Sequence, residues 1–255
     1  MTLHMTGTIA KLELRRLFAS PLAWVVLAIV TAVTMARFRA LLSGFNELYN
    51  NGAETLSLSL MVVQPLIASA AGILLIVVPI MSMRLFSEER RSGVFKLLRA
   101  APIRLTDIVI GKFLSLWFFV LLCLIPIDLA ILTMAPFAGN EDGHLDWGLI
   151  VSGGLALLLI TAAFCAITTF ISSLSAQPVV AALGGFAVLL LMALIDISAL
   201  GTTTWYTPIL HYLSLSLHNT HLMSGLFDSA DVVYYLIVTV LALWLTVQKL
   251  DWERQ

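Results

Sequence analysis

The residues of this sequence that could do chemistry are charged side chains in two settings. The stretch 84–99 reads RLFSEERRSGVFKLLR and holds four arginines, one lysine and the adjacent acids Glu88 and Glu89. Asp128 and Asp196 lie instead within apolar segments, where a carboxylate is by default a functional candidate. Intramembrane carboxylates suit ion-coupled transport. A short helix that carries paired charges and an apolar stripe suits the docking of a soluble protein.

Metal binding and catalysis receive less support from the sequence. His211, His218 and His221 could bind zinc or copper, but their spacings of seven and three match no standard ligand motif. Cys123 and Cys165 fall within predicted helices and are interpreted as small apolar side chains. The chain lacks both a Gly-x-Ser-x-Gly elbow and a phosphate-binding Gly-x-x-x-x-Gly-Lys-[Ser/Thr] loop. We therefore expect the chain to contain no catalytic, cofactor-binding or metal-ligating residues and not to be an enzyme.

The elements that must position the charged residues are membrane-spanning helices. Of the 255 residues, 60% are hydrophobic and only 11% are charged, and the mean hydropathy is +1.00. Several uncharged blocks approach the about 20 residues that one span needs, and a soluble core would not leave such lengths without a polar face. We predict an all-α polytopic membrane protein with one transmembrane domain, 1–255. Its six spans are predicted at 21–42, 58–83, 107–135, 147–172, 178–198 and 231–248.

The distribution of basic residues predicts how these spans are oriented. Of the fourteen lysines and arginines, twelve lie before the first span, around the connection between spans two and three, or after the last span. Since Lys and Arg are retained on the cytoplasmic side, both termini are expected in the cytoplasm. The opposite loops carry acidic residues but no Lys or Arg. Only Arg37 and Arg39, at the outer end of the first span, break this pattern.

Arg37, Asp128 and Asp196 are predicted to form an intramembrane charge cluster. The rise of a helix places all three roughly 24–27 Å from the inner ends of their spans. That depth is near the outer edge of a hydrocarbon core about 30 Å thick. An ion pair between Arg37 and either aspartate would reduce the cost of these charges and would serve a structural or gating role. In the alternative, Arg37 reaches outer headgroups and each aspartate reaches water separately.

Two segments outside the spans have amphipathic patterns. Residues 4–20 repeat apolar side chains at the spacing of one helical face, which predicts an N-terminal elbow helix on the membrane surface. Within 84–104, Gly93 permits a break, and the apolar repeat that follows predicts a short cytoplasmic helix that Pro102 ends. A helix that simply lies on lipid is the alternative for this second segment.

The stretch 83–98, the pair Ala101-Pro102 and the run Ile108-Val-Ile-Gly-Lys112 together resemble the permease subunits of type-2 ABC transporters. The opening run 12–24, LELRRLFASPLAW, is similar to the branch of gliding-motility and copper-enzyme-maturation permeases. Val94 and Lys96 stand where the family often has Thr and Glu. The resemblance implies six helices, an elbow helix, a coupling helix between helices two and three, and an outer re-entrant hairpin. The uncharged, apolar segment 201–227 is the candidate for that hairpin.

The resemblance also implies a function and partners. The chain would couple ATP hydrolysis by a separate ATPase subunit to export or to work on an envelope machine, with ATP and magnesium bound by that partner. The expected partners are an ABC ATPase, a second permease copy or homologue and the lipid bilayer, but no nucleic acid. The expected location is a prokaryotic cytoplasmic (inner) membrane, crossed several times. An ion-gradient-driven secondary transporter that uses Asp128 and Asp196 is the alternative. The residues expected to carry the coupling are Glu88, Glu89, Arg90, Phe95 and Leu98.

Overall fold

The computed structural model describes residues 2–51, 57–93, 104–134, 146–199 and 229–253, and all regular structure within these ranges is helical. The α-helices are α1 (Thr2–Ala19), α2 (Pro21–Asn50), α3 (Gln64–Ser82), α4 (Ser87–Ser92), α5 (Leu105–Leu132), α6 (Trp147–Leu174), α7 (Pro178–Ala199) and α8 (Ser229–Trp252). A π-helical turn, Ser59–Val63, leads into α3. Phe95, Leu98 and the segment predicted to be re-entrant, with its three histidines, lie outside the described residues.

Five helical stretches are long and apolar enough to cross a membrane. They are Pro21–Asn50, Ser59–Arg91, Leu105–Leu132, Trp147–Leu174 and Ser229–Trp252. The apolar part of α7, Pro178–Leu194, is shorter and lies at the lower limit of about 17 residues for a span. The predicted class, a polytopic helical membrane protein, is confirmed. The sixth span stays a prediction.

The helices differ from the predicted spans mainly at their ends. The first spanning helix continues to Asn50 rather than ending near residue 42, because no proline interrupts it there. At the other end of the bundle, α3 stops at Ser82, and a turn separates it from α4. In that turn the Leu85 carbonyl accepts a hydrogen bond from the Lys112 ammonium at 2.8 Å. This side-chain contact helps to fix the break between the two helices.

The outer faces of the bundle are apolar. Large exposed side chains on α2 and α8 include Trp24, Val25, Ile29, Val33, Val233, Leu236, Ile237, Val240 and Trp244. In the most apolar part of α2, only 11% of the residues are buried within the chain. Side chains of this kind would be unfavourable in water over so large an area, whereas contact with lipid tails satisfies them.

Helix α6 lies at the centre and packs against α3, α5, α7 and α8. Small residues bring these helices close together. A Cβ atom at Gly153 would come within 2.7 Å of Cδ1 of Ile67 on α3, and one at Gly185 within 3.3 Å of Cγ2 of Thr168 on α6. Both glycines are buried. These glycines therefore serve packing within one chain, as small residues do between membrane helices.

Helix α1 covers the segment predicted as an elbow and packs along α5. Leu17 is buried in the core, and Leu14 and Phe18 pack against it, whereas Lys11 and Arg15 on the opposite side are exposed. Ser20 separates α1 from α2, which begins with Pro21. Proline suits a first helical position because its missing N–H would have no partner there. The chain thus turns directly from α1 into the first span.

Candidate functional site

The site begins with α4, which carries three of the five residues predicted to couple the chain to an ATPase. Helix α4 ends at Gly93, whose φ of +77° lies in the left-handed region that glycine adopts without strain. Glu88 is exposed, Arg90 is half-buried and Glu89 is 5% exposed. Adjacent residues of a helix point about 100° apart, which accounts for the different settings of the two acids.

Glu89 belongs to a group of charges that we call the Lys112 cluster, formed by the buried Glu13, Glu89 and Lys112 and the exposed Arg16. The Lys112 ammonium lies 2.9 Å from Oε1 of Glu13 and 2.8 Å from Oε1 of Glu89. The Arg16 guanidinium lies 3.2 Å from the same Glu89 oxygen. The cluster therefore joins α1, α4 and α5 through side chains that are far apart in the sequence.

The electrostatics of the cluster depend on Lys112, whose side chain is only 2% exposed. Its ammonium donates to two carboxylates and the Leu85 carbonyl, which matches the three N–H groups it offers. It also lies 5.2 Å from the centroid of the Phe86 ring, within the range of a cation–π contact. Arg16 balances the second carboxylate, but its side chain is 58% exposed, so solvent weakens its contribution.

Gly111 explains how α1 comes close enough to supply Glu13. A Cβ atom at this position would lie 2.8 Å from Cγ2 of Ile9 and 3.2 Å from the carbonyl oxygen of Thr6, both on α1. Only a glycine leaves that space free. Thr6 also donates a hydrogen bond to Asp107 in the first turn of α5, at 3.3 Å. The adjacent glycine and lysine of α5 therefore act together, since Gly111 admits α1 and Lys112 binds it.

Helix α4 has further contacts on its other sides. The Ser87 hydroxyl donates to the carbonyl of Ser172 at the end of α6, at 3.1 Å, and the Phe86 N–H donates to the Ser172 hydroxyl at 3.3 Å. The Arg90 guanidinium lies 2.6 Å from Oε2 of Glu253, just after α8. A six-residue helix is thus tied to α1, α5, α6 and the end of α8. A displacement of α4 would act on most of the bundle.

The other predicted cluster does not assemble among the described side chains. Arg37 and Asp128 are both exposed on the outside of the bundle, and no ion pair within 4.0 Å joins them. This is the arrangement expected if each charge reaches headgroups or water separately. Asp196 lies in α7, but its side chain is outside the described set, so its pairing stays a prediction. A carboxylate used for ion transport would instead face the bundle interior or a water-filled cavity.

Within the part of the chain that the structure describes, no three His, Cys, Asp or Glu side chains are grouped so that they could hold a metal ion. Cys123 and Cys165 are free thiols, buried in α5 and α6. The three histidines lie outside the described residues, so their role stays open.

Sequence reasoning missed Glu13, Arg16 and Lys112 as site residues. A signal was present, because Glu13 is the single acid in an otherwise basic N-terminal segment. Lys112 is likewise a lone cation followed by a long uncharged run in the next span. Neither observation identifies the partner, since the two residues are 99 positions apart.

Comparison with known proteins identifies the family of the chain. No curated protein matches the chain significantly. A family model, described as ABC-2 family transporter protein, matches residues 7–248, which covers α2 to α7 completely and most of α1 and α8. The protein is therefore a multi-pass membrane permease, not itself an ATPase, and belongs to the ABC-2 transporter family.

Proposed function

We propose that this permease couples ATP hydrolysis by a separate ABC ATPase to export or to work on an envelope machine. In this proposal the segment 84–104 contacts the ATPase, and ATP and magnesium bind only to that partner. The observation that carries the proposal is the position of α4, which contacts four other parts of the bundle through hydrogen bonds and ion pairs. A movement imposed on this segment would reach the spans directly.

The two adjacent acids of α4 have different parts in this proposal. Glu88 is exposed and free to meet a partner, whereas Glu89 holds the Lys112 ammonium at 2.8 Å. Separating a buried ion pair costs about 3–5 kcal/mol when one charge is left behind. Movement of α4 would therefore draw Lys112 and α5 with it. Glu89 then acts as a positioning residue that transmits motion, and Phe95 and Leu98 stay the predicted contacts with the ATPase.

The remaining parts of the proposal concern assembly and orientation. A second permease copy or homologue would complete the transporter, and the cytoplasmic (inner) membrane of a prokaryote is the expected location. Both termini would face the cytoplasm with α4, as the positive-inside rule predicts. The similarity to gliding-motility and copper-enzyme-maturation permeases also stays a prediction.

Docking to the ATPase and transmission of its movement can be tested separately with two variants of the permease, each expressed together with the partner ABC ATPase of this proposal. Leu98→Asp should reduce the ATPase that co-purifies, because a charge in an apolar contact is costly. Glu89→Gln should retain the ATPase but lose the change of ATPase activity caused by the permease. Leu48→Asp is the control. Leu48 is exposed near the C-terminal end of α2, whereas Ser20, just before the N-terminal end of α2, contacts Arg84 of the docking segment. Equal recovery with Leu98→Asp and Leu48→Asp would contradict docking at this segment.

The orientation can be tested in a variant whose two cysteines are replaced by alanine. New single cysteines at Arg91, Glu54 and Asp142 are then exposed to an impermeant thiol reagent in intact cells. Arg91 suits this test because it is exposed, whereas Arg90 is half-buried against Glu253. We expect labelling at 54 and 142 only. Labelling at 91 in intact cells would refute the proposed orientation.

A further inference from the structure

We propose that a pocket between α1, the start of α2 and the turn before α4 binds a zwitterionic lipid headgroup that carries a phosphate and a primary ammonium, as phosphoethanolamine does. The pocket has a volume of about 380 Å³, within the range of small-ligand sites. Its charged lining residues are Glu13, Arg16, Arg84 and Glu88. The proposal concerns lipid recognition and does not depend on coupling to an ATPase.

The charges around the pocket are balanced, but two of them are not paired. Arg84 donates to the Ser20 hydroxyl at 2.8 Å, and in the described part of the chain no carboxylate lies within 4.0 Å of it. Glu88 likewise has no cation within that distance among the described side chains. Arg16 and Glu13, by contrast, are engaged in the Lys112 cluster. An Arg and a Glu thus line one cavity without meeting each other.

A ligand that satisfies both side chains must itself carry both charges. The planar guanidinium of Arg84 matches the oxygens of a phosphate, which can accept two of its N–H groups. The Glu88 carboxylate would accept hydrogen bonds from an ammonium. A headgroup with only a negative charge would be repelled by Glu88 and would gain no hydrogen bond from it. A phosphate joined to a short primary amine has the required complementarity.

The position of the pocket favours a lipid over a free metabolite. The indole N–H of Trp24, which is 60% exposed, donates to the Phe18 carbonyl at 2.9 Å beside the start of α2. Exposed tryptophans with a satisfied N–H are typical of the membrane–water interface. The pocket is also lined by Leu17, Leu22 and Met81. Leu17 and Met81 are buried, so the half-buried Leu22 would meet the glycerol and the upper acyl chains.

The same geometry predicts discrimination among lipids. A choline headgroup has the same two charges, but its quaternary ammonium offers no N–H to Glu88. A glycerol headgroup has no cation at all. Ethanolamine lipid should therefore bind better than choline lipid and glycerol lipid, although all three can share the same acyl chains.

The test is lipid competition on the full-length permease, purified in detergent and measured by native mass spectrometry. Equimolar phosphatidylethanolamine, phosphatidylcholine and phosphatidylglycerol with identical acyl chains are added. We expect the ethanolamine lipid to be retained about tenfold more than either competitor, as one charge-assisted hydrogen bond permits. Glu88→Gln should abolish this preference, whereas Arg84→Gln should lower the retention of all three lipids, because all three carry the phosphate. Arg91→Gln, which removes an exposed charge of α4 outside the pocket, should preserve the preference.

Other outcomes are equally decisive. Equal retention of the three lipids by the native chain would overturn the proposal without any variant. A preference for the glycerol lipid that only Arg84→Gln removes would identify a purely anionic site and would also overturn it. In the second part of the test, soluble phosphoethanolamine is added to the permease with its bound lipid. If phosphoethanolamine displaces the lipid only at a large excess, the ligand is the lipid. If phosphoethanolamine binds as tightly as the lipid, the pocket recognises the same headgroup, but its ligand is a soluble molecule and the lipid proposal is wrong.

Discussion

Replacing Lys112 with methionine should be among the most damaging single changes at the charged end of the bundle. Methionine keeps most of the volume of lysine but removes the ammonium that lies 2.9 Å from Glu13 and 2.8 Å from Glu89. The carboxylates would then face each other with only Arg16 between them, and its side chain is 58% exposed. Breaking a buried ion pair by removing one partner costs about 3–5 kcal/mol.

The expected loss can be measured as a change in melting temperature in detergent. For a chain of this size, about 2–4 °C corresponds to each kcal/mol, so Lys112→Met should lower the apparent melting temperature by roughly 6–20 °C. Lys11→Met is the matched control, because Lys11 is exposed on the outer side of α1. It should shift the melting temperature by no more than about 1–2 °C, since surface changes are usually within about 0.5 kcal/mol.

A second substitution makes the prediction sharper. Glu89→Gln alone should destabilise the native chain, because it removes one of the two carboxylates around Lys112. In the Lys112→Met background the same change should instead raise stability, since it removes an uncompensated negative charge. The interaction energy of such a cycle should be about 0.5–3 kcal/mol. Additive effects, or a Lys112→Met variant as stable as Lys11→Met, would refute the electrostatic account of the cluster.

Three other changes test separate contacts by the same thermal measurement. Gly111→Ala should destabilise the protein by about 1–3 kcal/mol, because its Cβ would overpack against α1. The control Gly154→Ala should not, because no atom of another helix lies within 4 Å of its new Cβ. Similar effects of the two variants would exclude the close approach of α1 to α5. Arg90→Gln and Glu253→Gln should show a coupling of about 1 kcal/mol in a double-mutant cycle, since their charges lie 2.6 Å apart; a coupling of zero would exclude this bond. Asp146→Ala should cost about 1 kcal/mol, because its carboxylate caps α6 through the Gly148 and Leu149 N–H groups; an unchanged melting temperature would contradict the cap.

The spanning helices could be predicted from the sequence because each depends on a local run of apolar residues. Long uncharged runs admit few structures other than spans, and five of them are long and apolar enough in the structure. The break at Gly93 was also predictable, since glycine alone adopts a φ of +77° at little cost. The extension of α2 to Asn50 was not, because residues 43–50 resemble a polar loop in composition although nothing stops the helix.

The pairing of charges could not be predicted, because it depends on which helices are neighbours. Lys112 and Glu13 are separated by 99 positions, and only the packing of α1 on α5 brings them together. Nothing in the local pattern ranks Glu88 against Glu89. Their difference arises from the orientation of a six-residue helix, which its contacts with Lys112 and Ser172 determine. Local patterns contain none of that information.

The Lys112 cluster also restricts where movement can occur if α4 is coupled to an ATPase. Buried ion pairs add little net stability, but their separation is costly, so they favour one arrangement of the groups that they join. Helices α1, α4 and α5 would consequently move as one body, with Ser87 holding α4 to the end of α6. On its other side α4 ends at Gly93, whose backbone is left-handed. A force applied beyond Gly93 would then act on α1, α4 and α5 together rather than pull α4 out of the bundle.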